Sequence, residues 1–561
     1  MKKKFLASAL AASMVGTMFA SMPAFAEEES SSAAAEEVTS AEAEEESSSA
    51  AAEATTGEVP NYDDVWAEKW ADVDTSEHVV INYMTTGDAP TNDATQKMLD
   101  ELNAILTEKV NAELQIYYIG WTDYLSNYNL TLARMDGSVD LVGTGTDWLD
   151  AWPNAKNGAF LELDEEMLAK YAPVPYETVP QEDWDLCKYN DNIYLMPEDN
   201  YAQWTNHGFA YRLDWAKEAG LEDGVHSWED MTTYFKYVCD NKDELGVVTP
   251  WDSDGTQFSQ MAGGWISSHS DFVSIDGLAA AAYWGGTKDD LYTIVSPLYT
   301  DTDSLVEFAK MMKEWDEMGV WKTDVLNNTS SDNREDFKLG KTAAEQHHTE
   351  TWTDLVSKTP ENVPGAEVGF FWFGEEEKNV TALNITHGAM AVSYGSENPE
   401  RALMVYDLLR NDAECYDLIN YGQKGVQWDV NDEGLRITPE SYNSDTDGIT
   451  TNFWWGRNDL LEIRDATKDW DKIDVMYKEL EDAAIDYPYG KFVANVDDIQ
   501  SYINNINEVN TNYMKQIAYG KYTGTAEEIV AEYQQALKDA GMDIVIEELQ
   551  KQLNEVYGDA E

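Results

Sequence analysis

The chain has little positive charge and few cysteines. Lysine and arginine number 37 against 107 aspartate and glutamate residues, which gives a formal net charge of −70. Such an acidic surface repels phosphate backbones and anionic lipid headgroups, so nucleic acid and membrane surfaces are disfavoured as partners. Cys187, Cys239 and Cys415 are odd in number and widely spaced, so we predict buried free thiols and no disulfide framework.

Long apolar runs and familiar catalytic motifs are also missing. Beyond the N-terminal region no window reaches 18 consecutive apolar residues, which argues against direct insertion into a membrane. The GxSxG, HExxH and GxxxxGK[ST] patterns are absent. Glycoside hydrolysis needs two carboxylates about 5 to 10 Å apart, and a sequence with so many acids does not single out such a pair.

The N-terminus has the pattern of a secretory signal. Three lysines at positions 2–4 precede an apolar stretch, and small residues at positions 24 and 26 form a cleavage site. We expect a signal peptide over residues 1–26, cleaved after Ala26, and export to the cell surface or periplasm. Residues 27–60 are rich in Glu, Ser and Ala, which predicts a disordered acidic linker because they offer almost no apolar area to bury.

Alternating strands and helices follow the linker. The segments HVVINYM, ELQIYYI and VDLVG have the apolar character of strands, and helical periodicity lies between them. This order predicts a parallel sheet covered by helices, with ligands bound beyond the carboxyl ends of its strands. The loop after VDLVG carries Asp147 and Trp148, which makes both candidates for ligand binding.

Several later segments resemble one known family. They are EFAKMMKEWDEMGVWKTDVL, DFKLGKTAAEQHHTETW with its Phe-x-x-Gly-Lys-x-Ala pattern, SENPERALMVYDLL, and INYGQKGVQWDV. In this order they resemble the extracellular solute-binding proteins of ABC importers, family 1 carbohydrate type, and the last segment is similar to the LipO-like branch. The resemblance covers most of residues 78–520.

The resemblance implies a two-lobe, periplasmic-binding-protein-like α/β fold with a hinge. We expect lobe 1 to contain residues 78–198 plus 372–410, and lobe 2 residues 199–371 plus 411–561. The chain is expected to cross between the lobes near residues 194–204, near residues 369–373, and after Arg410. Ser13 stands where the family's lipobox cysteine is expected, so no lipid anchor is predicted.

The implied function is a receptor and not an enzyme. It would capture a carbohydrate, with an oligosaccharide favoured, and deliver it as a monomer to the transmembrane permease of an ABC importer, without a cofactor. A secreted glycoside hydrolase and a polysaccharide-binding adhesin remain alternatives. A peptide or another polar solute remains an alternative ligand.

Sugar capture requires flat apolar faces for the rings and polar groups for the hydroxyls. The chain has 20 tryptophans, many of which must lie in the core. We select those on predicted loops between elements, together with three charged residues. The candidates are Asp147, Trp148, Trp204, Trp251, Trp265, Glu350, Trp352, Trp454, Trp455 and Arg457.

No metal site is predicted. His347 and His348 are adjacent, so on a strand they would point to opposite faces, and no further ligand spacing accompanies them. The segment containing Asp445 and Asp447 partly resembles a calcium loop, but Trp454 stands where a bidentate Glu is needed. An Asx turn is the favoured interpretation there, with calcium left open.

Overall fold

The structure is a computed structural model that describes residues 59–198, 204–278, 282–328 and 331–558. The predicted signal peptide and all but two residues of the predicted linker lie outside the described residues.

The first part of the chain alternates strands with helices, as the sequence predicts. One face of the second helix buries Met98, Leu102 and Leu106 at helical spacing, which holds it on the sheet. The elements are α1 (Asp63–Lys69), β1 (Val79–Thr86), α2 (Ala94–Val110), β2 (Ala112–Ile119), α3 (Tyr124–Arg134), β3 (Leu141–Thr144), α4 (Ala151–Lys156), α5 (Glu165–Tyr171), α6 (Pro173–Thr178), α7 (Gln181–Leu186), β4 (Lys188–Tyr189), β5 (Asn192–Ile193) and β6 (Met196–Pro197). Strand β1 pairs in parallel with β2 on one side and β3 on the other.

The middle of the chain forms a second sheet surrounded by helices. Its elements are β7 (His207–Arg212), α8 (Leu213–Glu218), α9 (Trp228–Asp240), α10 (Lys242–Leu245), α11 (Phe258–His269), β8 (Phe272–Ser274), β9 (Gly285–Thr287), α12 (Pro297–Thr300), α13 (Thr302–Met318), α14 (Asn333–Lys338), β10 (Ala344–His348), α15 (Thr349–Asn362) and β11 (Val368–Trp372). Strand β7 lies between β10 and β11 and is antiparallel to both.

The chain then returns to the first sheet. The elements are β12 (Val380–Thr381), β13 (Ala389–Val392), α16 (Pro399–Asn411), α17 (Ala413–Tyr421), β14 (Asp429–Val430), β15 (Arg436–Ile437) and α18 (Ser444–Asp447). Strand β13 pairs with both β3 and β6, which completes a five-stranded sheet of order β2-β1-β3-β13-β6. Helix α16 has its proline at the first position, where no backbone N–H is needed, and its buried residues cover this sheet.

The remaining elements pack mainly against the second sheet and its helices. They are α19 (Trp470–Ala483), β16 (Ala484–Ile485), α20 (Gln500–Ala518), α21 (Ala526–Ala540) and α22 (Met542–Tyr557). The last three helices share one apolar core with β7, α9, α11 and α13.

Separate apolar clusters define two lobes. Lobe 1 is built around the five-stranded sheet and lobe 2 around the three-stranded sheet. Trp372 lies in β11 of lobe 2, whereas Cys415 of α17 and Trp455 lie in the core of lobe 1. We therefore propose that lobe 1 contains residues 59–198 and about 385–455, in place of the predicted return segment 372–410, and that lobe 2 contains residues 204–381 and 470–558.

The crossings follow from this division. We propose a later crossing than the one predicted at residues 369–373, because residues 368–372 pair with residues 208–212 inside lobe 2. The chain stays in lobe 2 through β12, which pairs with β16, and reaches the lobe 1 sheet at Ala389. The last crossing lies between Trp455 and the first residue of α19, well beyond Arg410.

Within the described ranges, no helix is long and apolar enough to cross a membrane. The three cysteines are free thiols, as predicted; Cys187 and Cys415 are buried and Cys239 is half-buried.

Candidate ligand-binding site

Three partly exposed tryptophans of lobe 1 meet beyond the ends of its strands. Trp121 follows β2, Trp148 follows β3, and Trp454 follows α18. The rings of Trp121 and Trp454 are stacked with centroids 6.1 Å apart, and the centroid of Trp148 lies 6.4 Å from that of Trp454. Parallel strands end at one edge of a sheet, so the loops after β2 and β3 are brought together there. We call these three residues the indole cluster.

A buried tryptophan supports the indole cluster from below. Trp455 is stacked on Trp148 with centroids 6.2 Å apart and packs in the core of lobe 1. Gly143 of β3 leaves the space for this ring, because a Cβ atom there would overlap Trp455. The indole N–H of Trp148 donates a hydrogen bond to the carbonyl oxygen of His387 at 3.3 Å. The exposed rings therefore rest on a packed base.

Charged groups lie beside Trp148. We call Asp147, Glu198, Asp276 and His387 the carboxyl–imidazole cluster. His387, just before β13, donates from Nδ1 to Asp147 Oδ2 at 2.7 Å, and Glu198 lies at the end of β6. Asp276 follows β8 and is the member that comes from lobe 2. The cluster thus joins groups from both lobes.

The surroundings shift the pKa values of this cluster. Burial lowers the pKa of His387, but the charge of Asp147 and the hydrogen bond to it, with the charges of Glu198 and Asp276, raise it to about 9. Burial raises the pKa of Glu198 to about 8, although the charges of His387, Arg457 and Arg410 oppose this shift. At neutral pH His387 is therefore an imidazolium and Glu198 a neutral carboxylic acid.

The loop that carries Asp276 is where lobe 2 meets lobe 1. The backbone N–H of Asp276 donates a hydrogen bond to Tyr487 Oη at 2.8 Å, and Gly277 lies against the carbonyl oxygen of Thr146. Asp276 is exposed to solvent, yet protein on several sides desolvates its carboxyl group. This desolvation and the charge of Asp147 raise the pKa of Asp276 to about 7, while His387 lowers it. Asp276 is thus ionised or neutral depending on small changes in pH.

The edge of the lobe 2 sheet where β7 begins carries three histidines. We call His207, His347 and His348 the histidine edge. Burial, followed by the charge of Arg334, lowers the pKa of His207 to about 4, and burial also lowers the pKa of His347 and His348. Gln346 Nε2 donates to His207 Nδ1 at 2.7 Å. These neutral imidazoles can both donate and accept hydrogen bonds.

His347 and His348 do not point apart as the sequence predicts. Their ring centroids are 4.1 Å apart, because His348 ends β10 and its Nδ1 accepts from the backbone N–H of Thr351 to cap α15. Over the described part of the chain, no group of three or more His, Cys, Asp or Glu side chains could hold a metal ion.

The segment around Asp445 and Asp447 forms a turn of its own. Asn443 Oδ1 accepts from the backbone N–H of Asp445 at 3.0 Å, and Asp447 Oδ2 accepts from the backbone N–H of Asn443 at 3.0 Å. This is the Asx turn that the sequence favours.

The ten predicted residues fall into three groups. Asp147, Trp148 and Trp454 come together at the indole and carboxyl–imidazole clusters. Trp204 and Glu350 lie together in lobe 2, where the Glu350 N–H donates to the Trp204 carbonyl oxygen at 3.1 Å and Tyr477 donates to the Glu350 carboxylate at 2.5 Å. The remaining five are buried, namely Trp251, Trp265, Trp352, Trp455 and Arg457.

The buried residues show where the loop predictions failed. Trp265 lies inside helix α11 and Trp352 inside helix α15, so neither is on a loop. Trp265 donates from Nε1 to Ser304 Oγ at 2.9 Å, and Trp352 packs against Phe370. Arg457 pairs with the buried carboxylate of Glu462. These side chains contribute to the cores.

Five residues of the site were not predicted. Trp121 follows a strand and could have been selected by the rule that selected Trp148. His387 and Asp276 border short strands, and His207 begins β7, but nothing in their local sequence distinguishes them. Glu198 follows β6, and its place in the site depends on β13, which pairs with β6 and brings His387 near it.

Both lobes are built of strands and helices, and the chain passes between them more than once. Residues 488–557 match a family described as a domain of unknown function, DUF3502. The chain is 24% identical over 493 residues, 86% of this chain and 92% of the relative, to a "Carbohydrate ABC transporter substrate-binding protein" of Streptococcus pneumoniae serotype 4 (strain ATCC BAA-334 / TIGR4).

Two solved structures of the N-glycan transport solute binding protein NgtS from Streptococcus pneumoniae have the same fold. Each is 20% identical and covers 85% of this chain and 99% of its own. The TM-score is 0.66 for one structure and 0.60 for the other, which is a complex with Man1GlcNAc. The two-lobe fold predicted from the sequence is confirmed, and the similarity to a carbohydrate ABC transporter substrate-binding protein agrees with the resemblance of the sequence motifs.

Proposed function

We propose that this protein is an extracytoplasmic receptor that binds an oligosaccharide between its lobes and delivers it to an ABC importer. The observation that carries the proposal is the indole cluster, which gathers three partly exposed rings beside the Asp147–His387 pair. Indole faces stack on the C–H faces of sugar rings, and the charged pair can hydrogen-bond to their hydroxyls.

The binding residues in this proposal are those at the junction of the lobes. Trp121, Trp148 and Trp454 supply the faces, Asp147 and His387 supply polar contacts from lobe 1, and Asp276 reaches them from lobe 2. Binding would favour the closed arrangement of the lobes, because the ligand would contact both. The similar carbohydrate-binding protein and the Man1GlcNAc complex of NgtS support a sugar as the ligand.

The proposal also includes the finer properties that the resemblance implies. The protein acts without catalysis, works as a monomer, and is exported and recognised at the membrane by a permease. The acidic composition of the chain supports a role away from nucleic acids.

One observation favours a second candidate, a glycoside hydrolase. Desolvation and the charge of nearby Asp147 raise the pKa of Asp276 to about 7. A protonated acid beside an ionised carboxylate is the combination that glycoside hydrolysis uses.

Calorimetric titration with chromatography separates the two functions. The full mature chain is titrated with neutral oligosaccharides, including Man1GlcNAc, and with peptides, and each mixture is then analysed for products. Saturable binding of a glycan that is recovered unchanged is the expected result. Shortened glycan products would support the hydrolase, and binding of peptides alone would replace the ligand class.

A further inference from the structure

Two carboxyl oxygens of the carboxyl–imidazole cluster are buried and unused. Asp147 Oδ1 and Glu198 Oε1 have no hydrogen-bond partner among the described residues. The Glu198 residue is only 6% exposed, and its other oxygen lies against Gly388, next to His387. A buried acceptor without a donor is costly, whereas a ligand hydroxyl placed there would satisfy it. The cluster therefore offers two buried oxygen atoms, one on Asp147 and one on Glu198, to a hydroxyl group of a ligand.

The charges of the cluster do not balance. Above a pH of about 7 Asp276 is ionised while Glu198 stays mostly neutral, so two carboxylates face one imidazolium, and Asp147 already engages His387 at 2.7 Å. Asp276 faces both Asp147 and His387, and its backbone N–H is held by Tyr487. The 107 acidic residues of the chain add a negative field around it.

Resting on the proposed function, we propose that this cluster is a specificity subsite that accepts uncharged, hydroxyl-bearing sugar units and rejects units that carry a carboxylate. A hydroxyl donates to the unused oxygens of Asp147 and Glu198. A ligand carboxylate donates nothing in its ionised form and would face the charges of Asp147 and Asp276. Like charges placed together across an interface suppress the wrong partner.

Asp276 makes this rejection dependent on pH. Below a pH of about 7 its carboxyl group takes up a proton, and the repulsion of an acidic ligand weakens. Above that pH it is ionised, so the preference for the neutral sugar increases. Between pH 6.0 and 7.5 His387, with a pKa of about 9, stays charged and Glu198, with a pKa of about 8, stays mostly neutral, so Asp276 accounts for this change.

Matched ligands test the inference. The full mature chain is titrated with a set of neutral oligosaccharides, including Man1GlcNAc, and with the same sugars oxidised at one primary alcohol to a uronate. At pH 7.5 the neutral sugar that binds is expected to bind at least about 10-fold more tightly than its uronate. At pH 6.0 this ratio is expected to decrease.

Asp276→Asn is the test variant, and Asp432→Asn is its control. Both remove one acidic group from an exposed position, but Asp432 lies in the loop between β14 and β15, away from the cluster. In Asp276→Asn the ratio of the affinity for the neutral sugar to that for its uronate should be smaller, and it should no longer change between pH 6.0 and 7.5. Asp432→Asn should behave as the unaltered chain. Thermal unfolding checks that both variants fold.

The outcomes separate this inference from the proposed function. Equal affinity for neutral and acidic sugars would contradict the subsite but not the receptor function. The same holds if Asp276→Asn leaves the ratio of the two affinities unchanged. If none of the neutral sugars binds, the proposed function fails and the subsite fails with it.

Discussion

Gly277 of lobe 2 lies against the carbonyl oxygen of Thr146 in lobe 1, so closely that a Cβ atom on Gly277 would be 2.7 Å from that oxygen. Thr146 is in turn anchored to the segment before β13, because its N–H and its hydroxyl both bond to the Thr386 carbonyl oxygen. The contact between the lobes therefore rests on backbone atoms that cannot move aside easily.

Gly277→Ala is expected to weaken ligand binding because the added methyl group would keep the lobes apart. Gly277 also has a φ of +72°, so alanine there costs about 1 kcal/mol of folding stability. Gly158→Ala is the control, since Gly158 has a φ of +74° and no described atom lies within 4 Å of its Cβ position. Both variants should lose similar thermal stability, while calorimetry should show lower affinity in Gly277→Ala alone. Equal affinity in the two variants would contradict this role for Gly277.

Trp454→Ala is expected to weaken sugar binding by about 1–3 kcal/mol, because its ring is part of the exposed indole cluster. Trp352→Ala is the matched comparison. Its ring is buried against Phe370, so we expect a loss of about 3–5 kcal/mol in the free energy of unfolding with affinity retained. Titration and denaturant unfolding of both variants measure the difference. A large loss of affinity in Trp352→Ala would contradict its assignment to the core and indicate that it contacts the ligand.

Glu198→Gln is expected to flatten the pH dependence of stability between pH 4.5 and 8. The pKa of Glu198 is raised from 4.5 to about 8 in the folded chain, so the unfolded chain releases this proton first as the pH rises. Its contribution to stability is complete below pH 4.5 and is lost as the pH rises through 8, by up to about 1.4 kcal/mol per pH unit. Denaturant unfolding at several pH values measures this slope. A variant with the slope of the unaltered chain would show that Glu198 does not titrate in this way.

Arg457→Ala is expected to lower the free energy of unfolding by about 3–5 kcal/mol, because it would leave the buried carboxylate of Glu462 without its cation. The hydroxyls of Tyr416 and Tyr421 also donate to Glu462, each at 2.5 Å, so this carboxylate organises several side chains. Lys236→Ala is the control, since it breaks an exposed pair with Asp240 and should cost less than about 1 kcal/mol. Similar losses in both variants, measured by chemical denaturation, would disagree with this assignment.

The local pattern of the sequence was enough to predict the parts of the fold that depend on neighbours in the chain. The alternation of strands and helices predicted that Asp147 and Trp148 lie in the loop after β3, where the structure places them. The loop assignments of Trp265 and Trp352 failed because α11 continues through Gly263 and Gly264, and α15 begins directly after His348.

The rest of the site depends on contacts between distant segments. Trp121 and Trp454 are separated by more than 300 residues, and they stack because the segment after α18 returns to lobe 1. Asp276 acquires its altered acidity only because a loop of lobe 2 lies opposite Asp147. No periodicity within a short window carries this information.

The position of β13 between β3 and β6 has a consequence for how the protein is made. A ribosome delivers the N-terminal strands first, yet the sheet of lobe 1 stays divided until residues 389–392 have been synthesised, after most of lobe 2. Such a chain must close large loops before its first sheet is whole, which slows folding and leaves strand edges open in the meantime. Late completion of this sheet keeps the nascent chain loosely structured for longer, which suits the export included in the proposed function.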